Sequence, residues 1–301
     1  MSARLFCNFA PLKGARTGWK DRRMKKRLIV LMMMAGVLMG SCVQRPQHLT
    51  DDVVLGFTPV KNQDSSQLCW AYAMLAAIET EHIMRGDSVN LSVAFIERMM
   101  EQESEAPSTG RGTCLTALRL LQKYGAVPYQ SMPSTEYLPP HHAYMLGCEY
   151  TLGEFARSVC APGEYIGLQS TDEAPYGEMA LLDVPDNWDE GECLNMPMDS
   201  LLSTTERAIR TGHGVAWEGD ISEWGFNWEE GYAVTSLWNG STSDNHCMAI
   251  VGLAHDEEGN RYFIMKNSWG KENPYGGLMY LSYGYFMKKT IAVFLNKDLI
   301  Y

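Results

Sequence analysis

Cysteine, histidine and asparagine residues in separated segments of this 301-residue chain have the types and settings that thiol chemistry needs. Cys69 follows Asn62-Gln63-Asp64-Ser65-Ser66-Gln67-Leu68 and leads directly into Trp70 and an Ala-rich apolar run. A thiol attacks a carbonyl as thiolate, and a helix N-terminus with a nearby imidazolium lowers its pKa enough to form one near neutral pH. Cys69, at the start of a helical pattern, is therefore the candidate nucleophile. His246, in Asp244-Asn245-His246-Cys247-Met248-Ala249, precedes an apolar run and is the candidate general acid and base. Asn267, in Lys266-Asn267-Ser268-Trp269-Gly270, can accept the other ring N–H, with Trp269 shielding that bond from water. Gln63 and the Cys69 backbone N–H supply the two donors that a tetrahedral oxyanion requires. Taken singly, each of these residues is more often a buried thiol, a strand histidine or a turn residue. Their joint occurrence carries the reading.

The elements that must position them are legible in outline. Apolar residues Trp70, Ala73, Met74, Ala77, Ile78 and Ile83 follow a helical period over residues 69–85, and Gly86 ends it. Ser92 can cap a second helix containing Phe95, Ile96, Met99 and Met100. A third runs over about residues 113–124 and stops at Gly125. Residues 128–162 show no clear period and read as irregular loop with a short helix near 152–159. Thereafter come a strand at 165–168, a helix capped by Asp199 through Arg210, and short β-rich runs at 214–217, 248–253, 261–266, 278–281 and 290–295. The pattern predicts an α+β chain: a mainly helical lobe with loop over 57–162 and a mainly antiparallel β lobe over 163–301. Cys69 belongs to the first, His246 and Asn267 to the second, so the site is expected in a cleft between them.

Charge and cysteines bound the setting. The net charge is −11, yet nine of the 25 Lys and Arg residues and one of the 36 acids fall in residues 1–41. The rest is strongly acidic and repels phosphate backbones, which excludes nucleic acid as an expected partner. Residues 24–41 read as a basic segment, about a dozen apolar residues and small residues before Cys42, too short to span a bilayer. They resemble a bacterial lipoprotein signal, with Met24 the expected start, residues 1–41 a leader, Cys42 the lipid attachment site and 42–56 a tether. Six further cysteines follow; with Cys69 free, Cys114, Cys148, Cys160 and Cys193 admit three pairings, or remain buried thiols.

Gln63-x5-Cys69-Trp70-Ala71, His246 before an apolar strand, and Lys266-Asn267-Ser268-Trp269-Gly270 together resemble the papain-like cysteine peptidases. Within them, Lys123-Tyr124-Gly125-Ala126-Val127-Pro128, Tyr165-Ile166-Gly167-Leu168 and Asn195-Met196-Pro197-Met198-Asp199 look most like bleomycin hydrolase and the bacterial aminopeptidase C subgroup. The resemblance implies a papain-like two-lobe fold over 57–301. It also implies hydrolysis of peptide bonds through a Cys69 thioester, and substrate contacts at Gly112, Cys247 and Trp269. It implies no metal or other cofactor. There are departures. Ser66 stands where the papain signature has a disulfide cysteine, Asn245 precedes the histidine, and Arg111-Gly112 keeps one of two glycines. Cys69 and His246 lie 177 residues apart, beyond the usual spacing of roughly 130–150. The sequence ends without the C-terminal arm of those aminopeptidases, so their hexamer and strict exopeptidase habit are not implied, and the oligomeric state is unknown. Two rival readings are acyl or amide transfer on the same residues and a non-catalytic peptide-binding lipoprotein. The expected partners are a peptide or protein substrate and a membrane, reached through the Cys42 lipid in the bacterial cell envelope, facing the periplasm.

Three weaker groups complete the reading. His141-His142 lacks neighbouring ligands and is expected in solvated loop. Glu79 and His82, at i,i+3 on one helix, suggest a mutual polar contact. Trp217, Trp224, Trp228 and Trp238, interleaved with Asp220, Glu223, Glu229 and Glu230, are either β-lobe packing or an acidic border of the cleft favouring basic substrates.

Overall fold

A computed structural model describes residue 46 and residues 48–103, 110–235 and 242–300. Cys42, the leader and Trp238 lie outside the described residues. None of the helices described is long and apolar enough to cross a membrane.

The helical part begins with α1 (Cys69–Met84), followed by α2 (Val93–Glu103) and α3 (Cys114–Tyr124). Nearly every face of α1 is buried, which explains its Ala and Met content: small and unbranched side chains let neighbouring elements approach closely. The Ser92 hydroxyl accepts the Phe95 N–H at 3.1 Å and so caps α2. Thr113 caps α3 through a reciprocal box with Thr116, and Gly125 (φ 99°) ends it. The loop expected over 128–162 is more ordered than its composition suggests. A hairpin, β2 (His142–Met145) with β3 (Cys148–Thr151), turns on Leu146 and Gly147, both at positive φ, and leads into α4 (Leu152–Val159).

One eleven-stranded mixed sheet holds the rest. Its centre is β10 (His246–His255), flanked by β7 (Val215–Gly219) and β11 (Arg261–Lys266), both antiparallel to it. From β7 the sheet continues through β13 (Thr290–Asn296), β4 (Tyr165–Gln169), β6 (Glu192–Asn195) and β5 (Met179–Leu181). From β11 it continues through β12 (Leu278–Ser282), β9 (Tyr232–Ala233) and β8 (Phe226–Asn227). Two pairs, β4 with β6 and β9 with β12, are parallel. Helices α5 (Met198–Arg210) and α6 (Tyr283–Lys289) pack on the sheet, so the second part is not purely β. Pro197, not Asp199, occupies the N-cap of α5; Asp199 sits in its first turn.

Residues 42–56, read as a tether, end in structure: β1 (Thr50–Val54) pairs with β10. Gly252 makes this possible, because a Cβ there would lie 2.4 Å from the Val53 carbonyl oxygen. All six described cysteines are free thiols; Cys114, Cys160, Cys193 and Cys247 are buried and Cys148 is exposed, so no pairing is realised. Glu79 and His82 do not bond each other. Glu79 takes Lys61, the Leu91 N–H and the Thr58 hydroxyl, while His82 bonds Asp87 and the Val159 carbonyl.

Candidate active site

Cys69 is the first residue of α1. The opening N–H groups of a helix lack intrahelical partners and carry the positive end of its dipole, so a thiolate is favoured there. Two neighbours add to this. The Cys247 thiol bonds the Cys69 sulfur and, followed by the His246 ring through contact and charge, holds Cys69 well below an ordinary thiol despite burial. Burial and the two adjoining thiols, Cys114 and Cys69, push Cys247 itself well above the ordinary range, so it keeps its proton and acts as a donor.

His246 opens β10 and is 3% exposed. Its Nε2 lies 2.8 Å from Asn267 Oδ1. That oxygen also accepts the Ser268 N–H at 2.8 Å, which fixes the amide orientation and makes His246 Nε2 the protonated nitrogen. Nδ1 is left for the Cys69 sulfur. Trp269 packs on the imidazole with ring centroids 4.6 Å apart, and Trp228 and Phe226 meet Trp269 edge-on at 5.4 and 5.9 Å. This aromatic wall keeps water from the His246–Asn267 bond.

Gln63 is tied to the segment that carries Asn267. Its N–H donates to the Ser268 carbonyl at 2.7 Å, and the Ser268 hydroxyl donates to Gln63 Oε1 at 2.6 Å. Oε1 is thereby fixed, and Nε2 donates to the Ser66 carbonyl at 2.7 Å. An amide nitrogen carries two hydrogens, so one remains for an oxygen in front of Cys69. Asn62 bridges to Trp269 and the Gly270 N–H reaches the Lys61 carbonyl at 3.2 Å, stitching both sides of the Cys69 loop to the His246 side.

A cavity of about 230 Å³ opens beside these groups, lined by residues that include Cys69, Arg111, Gly112, Asp186, Asp244, His246 and Cys247. Gly112 and Cys247, expected at the substrate, are both on its wall. Trp269 is not among the lining residues and serves the imidazole instead. The acidic border differs from expectation. Trp217 is buried with its Nε1 donating to Thr290, Asp220 and Glu223 hold Lys289 at 3.0 and 2.6 Å, and Trp224 is exposed. The acids at the cavity are Asp186, paired with Arg111 at 2.5 Å, and Asp244. Burial, then the Cys69 thiolate and Asp186, push Asp244 up to about 7. Behind the wall, Glu218 is fully buried, and burial with the Asp244 charge pushes it up to about 8. Sequence reasoning missed all four of Arg111, Asp186, Asp244 and Glu218 as electrostatic groups. A lone acid inside the apolar run Val215–Gly219 was the one available signal.

This geometry can place a thiolate, an oriented imidazole and two N–H donors around one carbonyl, which is the arrangement acyl chemistry requires. Comparison with solved structures decides the fold. PepW of Lactobacillus rhamnosis superposes with a TM-score of 0.67 over 95% of this chain and 93% of its own, at 15% identity. The fold is that of the papain-like cysteine peptidases. Xylellain, a cysteine protease from Xylella fastidiosa, shares this fold with a TM-score of 0.51 over 84% of this chain and 87% of its own, at 17% identity. Digestive procathepsin L 3 of Tenebrio molitor larval midgut gives 0.52 over 86% and 72%, at 18% identity. Among curated sequences, Peptidase 1 of Psoroptes ovis is 26% identical over 235 residues, covering 77% of this chain and 58% of its own length. Fruit bromelain of Ananas comosus is 22% identical over 225 residues, covering 75% and 51%. The chain thus spans about half the length of the curated relatives it matches. No family model matches it. The papain-like frame brings the helix bearing Cys69 and the strand bearing His246 together although 177 residues separate them.

Proposed function

We propose that this protein is a cysteine peptidase of the papain-like class that hydrolyses peptide bonds through a thioester on Cys69. The observation that carries the reading is the Cys69–His246–Asn267 chain: a thiol held well below its ordinary range beside an imidazole whose far nitrogen is fixed at 2.8 Å by an amide oxygen. In the reaction, the Cys69 thiolate attacks the substrate carbonyl carbon, and the resulting oxyanion is held by the Cys69 N–H and the second Gln63 Nε2 hydrogen. The C–N bond breaks as the His246 imidazolium protonates the leaving amine. His246 then takes a proton from water, which attacks the thioester and releases the acid and the Cys69 thiol. Asn267 orients the imidazole throughout, Trp269 excludes water from their bond, and Gly112 and Cys247 face the substrate.

The subgroup stretches around Tyr124, Ile166 and Pro197 favour peptidases resembling bleomycin hydrolase and aminopeptidase C. The basic-apolar segment before Cys42 favours a lipoprotein, exported and anchored to a bacterial envelope membrane with the peptidase domain facing the periplasm. Labelling with an epoxysuccinyl-type thiol inhibitor tests the chemistry: wild type is labelled under reducing conditions near neutral pH and Cys69→Ala is not. Labelling independent of Cys69 sinks the proposal. Unlabelled enzyme assayed on free and N-terminally blocked peptides distinguishes amino- from endopeptidase action. Incorporation of labelled palmitate, lost in Cys42→Ala, tests the anchor.

A further inference from the structure

Behind Cys69, Cys247 belongs to a buried group whose other members, Cys114 and Glu218, have no part in the proposed chemistry. Cys247 and Glu218 are cross-strand partners in the β7–β10 ladder, so their side chains emerge on the same face. Cys114, the first residue of α3, meets them from the helical side, its backbone N–H donating to Glu218 Oε1. Cys114 Sγ, a Glu218 carboxylate oxygen and Cys247 Sγ all lie within 4.8 Å of one another, and all three residues are buried. Among the described residues no other three His, Cys, Asp or Glu side chains form such a group. Glu218 is 0% exposed and its Oε2 has no hydrogen-bond partner. Buried carboxylate oxygens normally have one, because leaving one unmade is costly. A buried carboxyl group whose Oε2 has no hydrogen-bond partner, grouped with two thiols, is a donor set of the kind that soft divalent cations take on loss of its protons.

We propose that Cys114, Glu218 and Cys247 form a binding site for a thiophilic divalent cation of the zinc or cadmium class, and that its occupation silences Cys69. Two sulfurs and one oxygen select such ions over magnesium or calcium, which take oxygen ligands. Metal–sulfur bonds of about 2.3 Å and metal–oxygen bonds of about 2.1 Å place tetrahedral ligands roughly 3.6–3.8 Å apart. The present group reaches that spacing by closing by about 1 Å or less, within the range of side-chain torsion. Entry is through the cavity, since Cys247 lies on its wall. On binding, two S–H bonds break and two metal–sulfur bonds and one metal–oxygen bond form. The two thiol protons, and the Glu218 proton where it is present, leave to solvent, and water completes the fourth position. Cys69 and Cys247 line the same cavity, so a cation held on the Cys247 sulfur stands beside the nucleophile and obstructs the approach of a carbonyl. The loss of activity rests on the peptidase reading above; the binding does not.

Titration of the reduced full chain with cadmium, followed by thiolate-to-metal charge-transfer absorption and equilibrium dialysis, tests the site. One equivalent is expected to bind, with the absorption retained in Cys69→Ala. Affinity should fall by about 10–100-fold or more in Cys114→Ser and in the near-isosteric Glu218→Gln, whose folding is checked by circular dichroism. On wild type, bound zinc should protect Cys114 and Cys247 from alkylation as read by peptide mass spectrometry. Inhibition of peptide cleavage should reverse with a chelator. An absorption lost in Cys69→Ala but kept in Cys114→Ser would place the metal on Cys69 and His246 and overturn the proposal, as would the absence of any stoichiometric absorption. Absence of inhibitor labelling in the metal-free protein, with metal binding intact, would refute the peptidase reading alone.

Discussion

Lys266, the residue before Asn267, carries a cost that can be measured. Its side chain is 4% exposed and its Nζ donates to the Thr58 hydroxyl at 2.8 Å. The buried carboxylate nearby, Glu79, is 3.9 Å away and already paired with Lys61 at 2.8 Å. Two ammonium groups therefore share one buried carboxylate, and Lys266 is the surplus charge. Burial, opposed by Glu79 and assisted by Lys61, pushes its pKa from 10.5 down to about 8. A shift of that size costs about 3 kcal/mol when the group is charged in the folded protein. The lysine binds its proton less tightly folded than unfolded. The cost is therefore fully present below about pH 8, falls as pH rises from there, and is gone above the unfolded value of 10.5.

Lys266→Met keeps the apolar stem and removes the charge, leaving Glu79 with Lys61, Thr58 and the Leu91 N–H. Set against a lost hydrogen bond of about 1 kcal/mol, the variant should be about 2 kcal/mol more stable than wild type near pH 7. Between about pH 7 and about pH 9.5 that advantage should shrink by about 2 kcal/mol, because wild-type Lys266 then folds neutral. Urea denaturation of both proteins at the two pH values measures the change, and tyrosine and cysteine titrations common to both cancel in the difference. A stability gap that does not change with pH would refute the account of Lys266 as an unshared buried charge.

Other outcomes follow from the site. Asn267→Ala removes the acceptor of a hydrogen bond to the imidazolium, worth about 1.5–3 kcal/mol, so kcat/KM for peptide cleavage should fall by about 10–150-fold while thiol labelling of Cys69 persists more slowly. Gln63→Ala should lower kcat by about 10²–10³-fold with little change in KM, because its second N–H meets only the oxyanion; an effect confined to KM would remove it from that role. Asp244→Asn removes a negative charge that faces Cys69. Because Asp244 is protonated below about pH 7, the acidic limb of the kcat/KM profile should stay in place, while a step in the alkylation rate of Cys69 near pH 7, where the Asp244 charge appears, should be lost in the variant; a variant that keeps this step would contradict the proximity of the two groups.

The parts of this molecule that were legible in its sequence are those whose cause is local. Helix α1 follows from its apolar period, α2 from the Ser92 cap, and α3 from Thr113 at one end and Gly125 at the other. The strands β7, β10, β11, β12 and β13 show as short β-rich runs, although their order does not. What stayed hidden depends on partners far along the chain. Thr50–Val54 is a polar segment with two adjacent acids and looks like a tether; it becomes a strand because β10 offers it a backbone edge. The hairpin β2–β3 turns on Leu146-Gly147 instead of the Asn-Gly that marks such turns, so it had no sequence signal. The same division holds in the site. Cys69, His246 and Asn267 were visible because each sits in a distinctive local setting. Glu218 and Asp244 were not, since a carboxylate acquires its electrostatic meaning from burial and neighbours that only the β7–β10 register and the approach of α3 supply.

The Cys69 loop is held without a disulfide. Ser66 occupies the place of a bridging cysteine, and its hydroxyl has no hydrogen-bond partner, so it does not replace the bridge. The restraint comes from the other side. The Gln63 N–H bonds the Ser268 carbonyl, the Ser268 hydroxyl bonds the Gln63 amide oxygen, and the Gly270 N–H bonds the Lys61 carbonyl. The chain that presents the oxyanion donor is thus pinned to the chain that orients the imidazole, and a displacement of either moves both. A disulfide would fix the loop to its own lobe and leave the distance across the cleft to packing. These bonds tie the loop before Cys69 to the segment whose Asn267 holds His246, and so restrain from both sides the separation on which proton transfer between them depends.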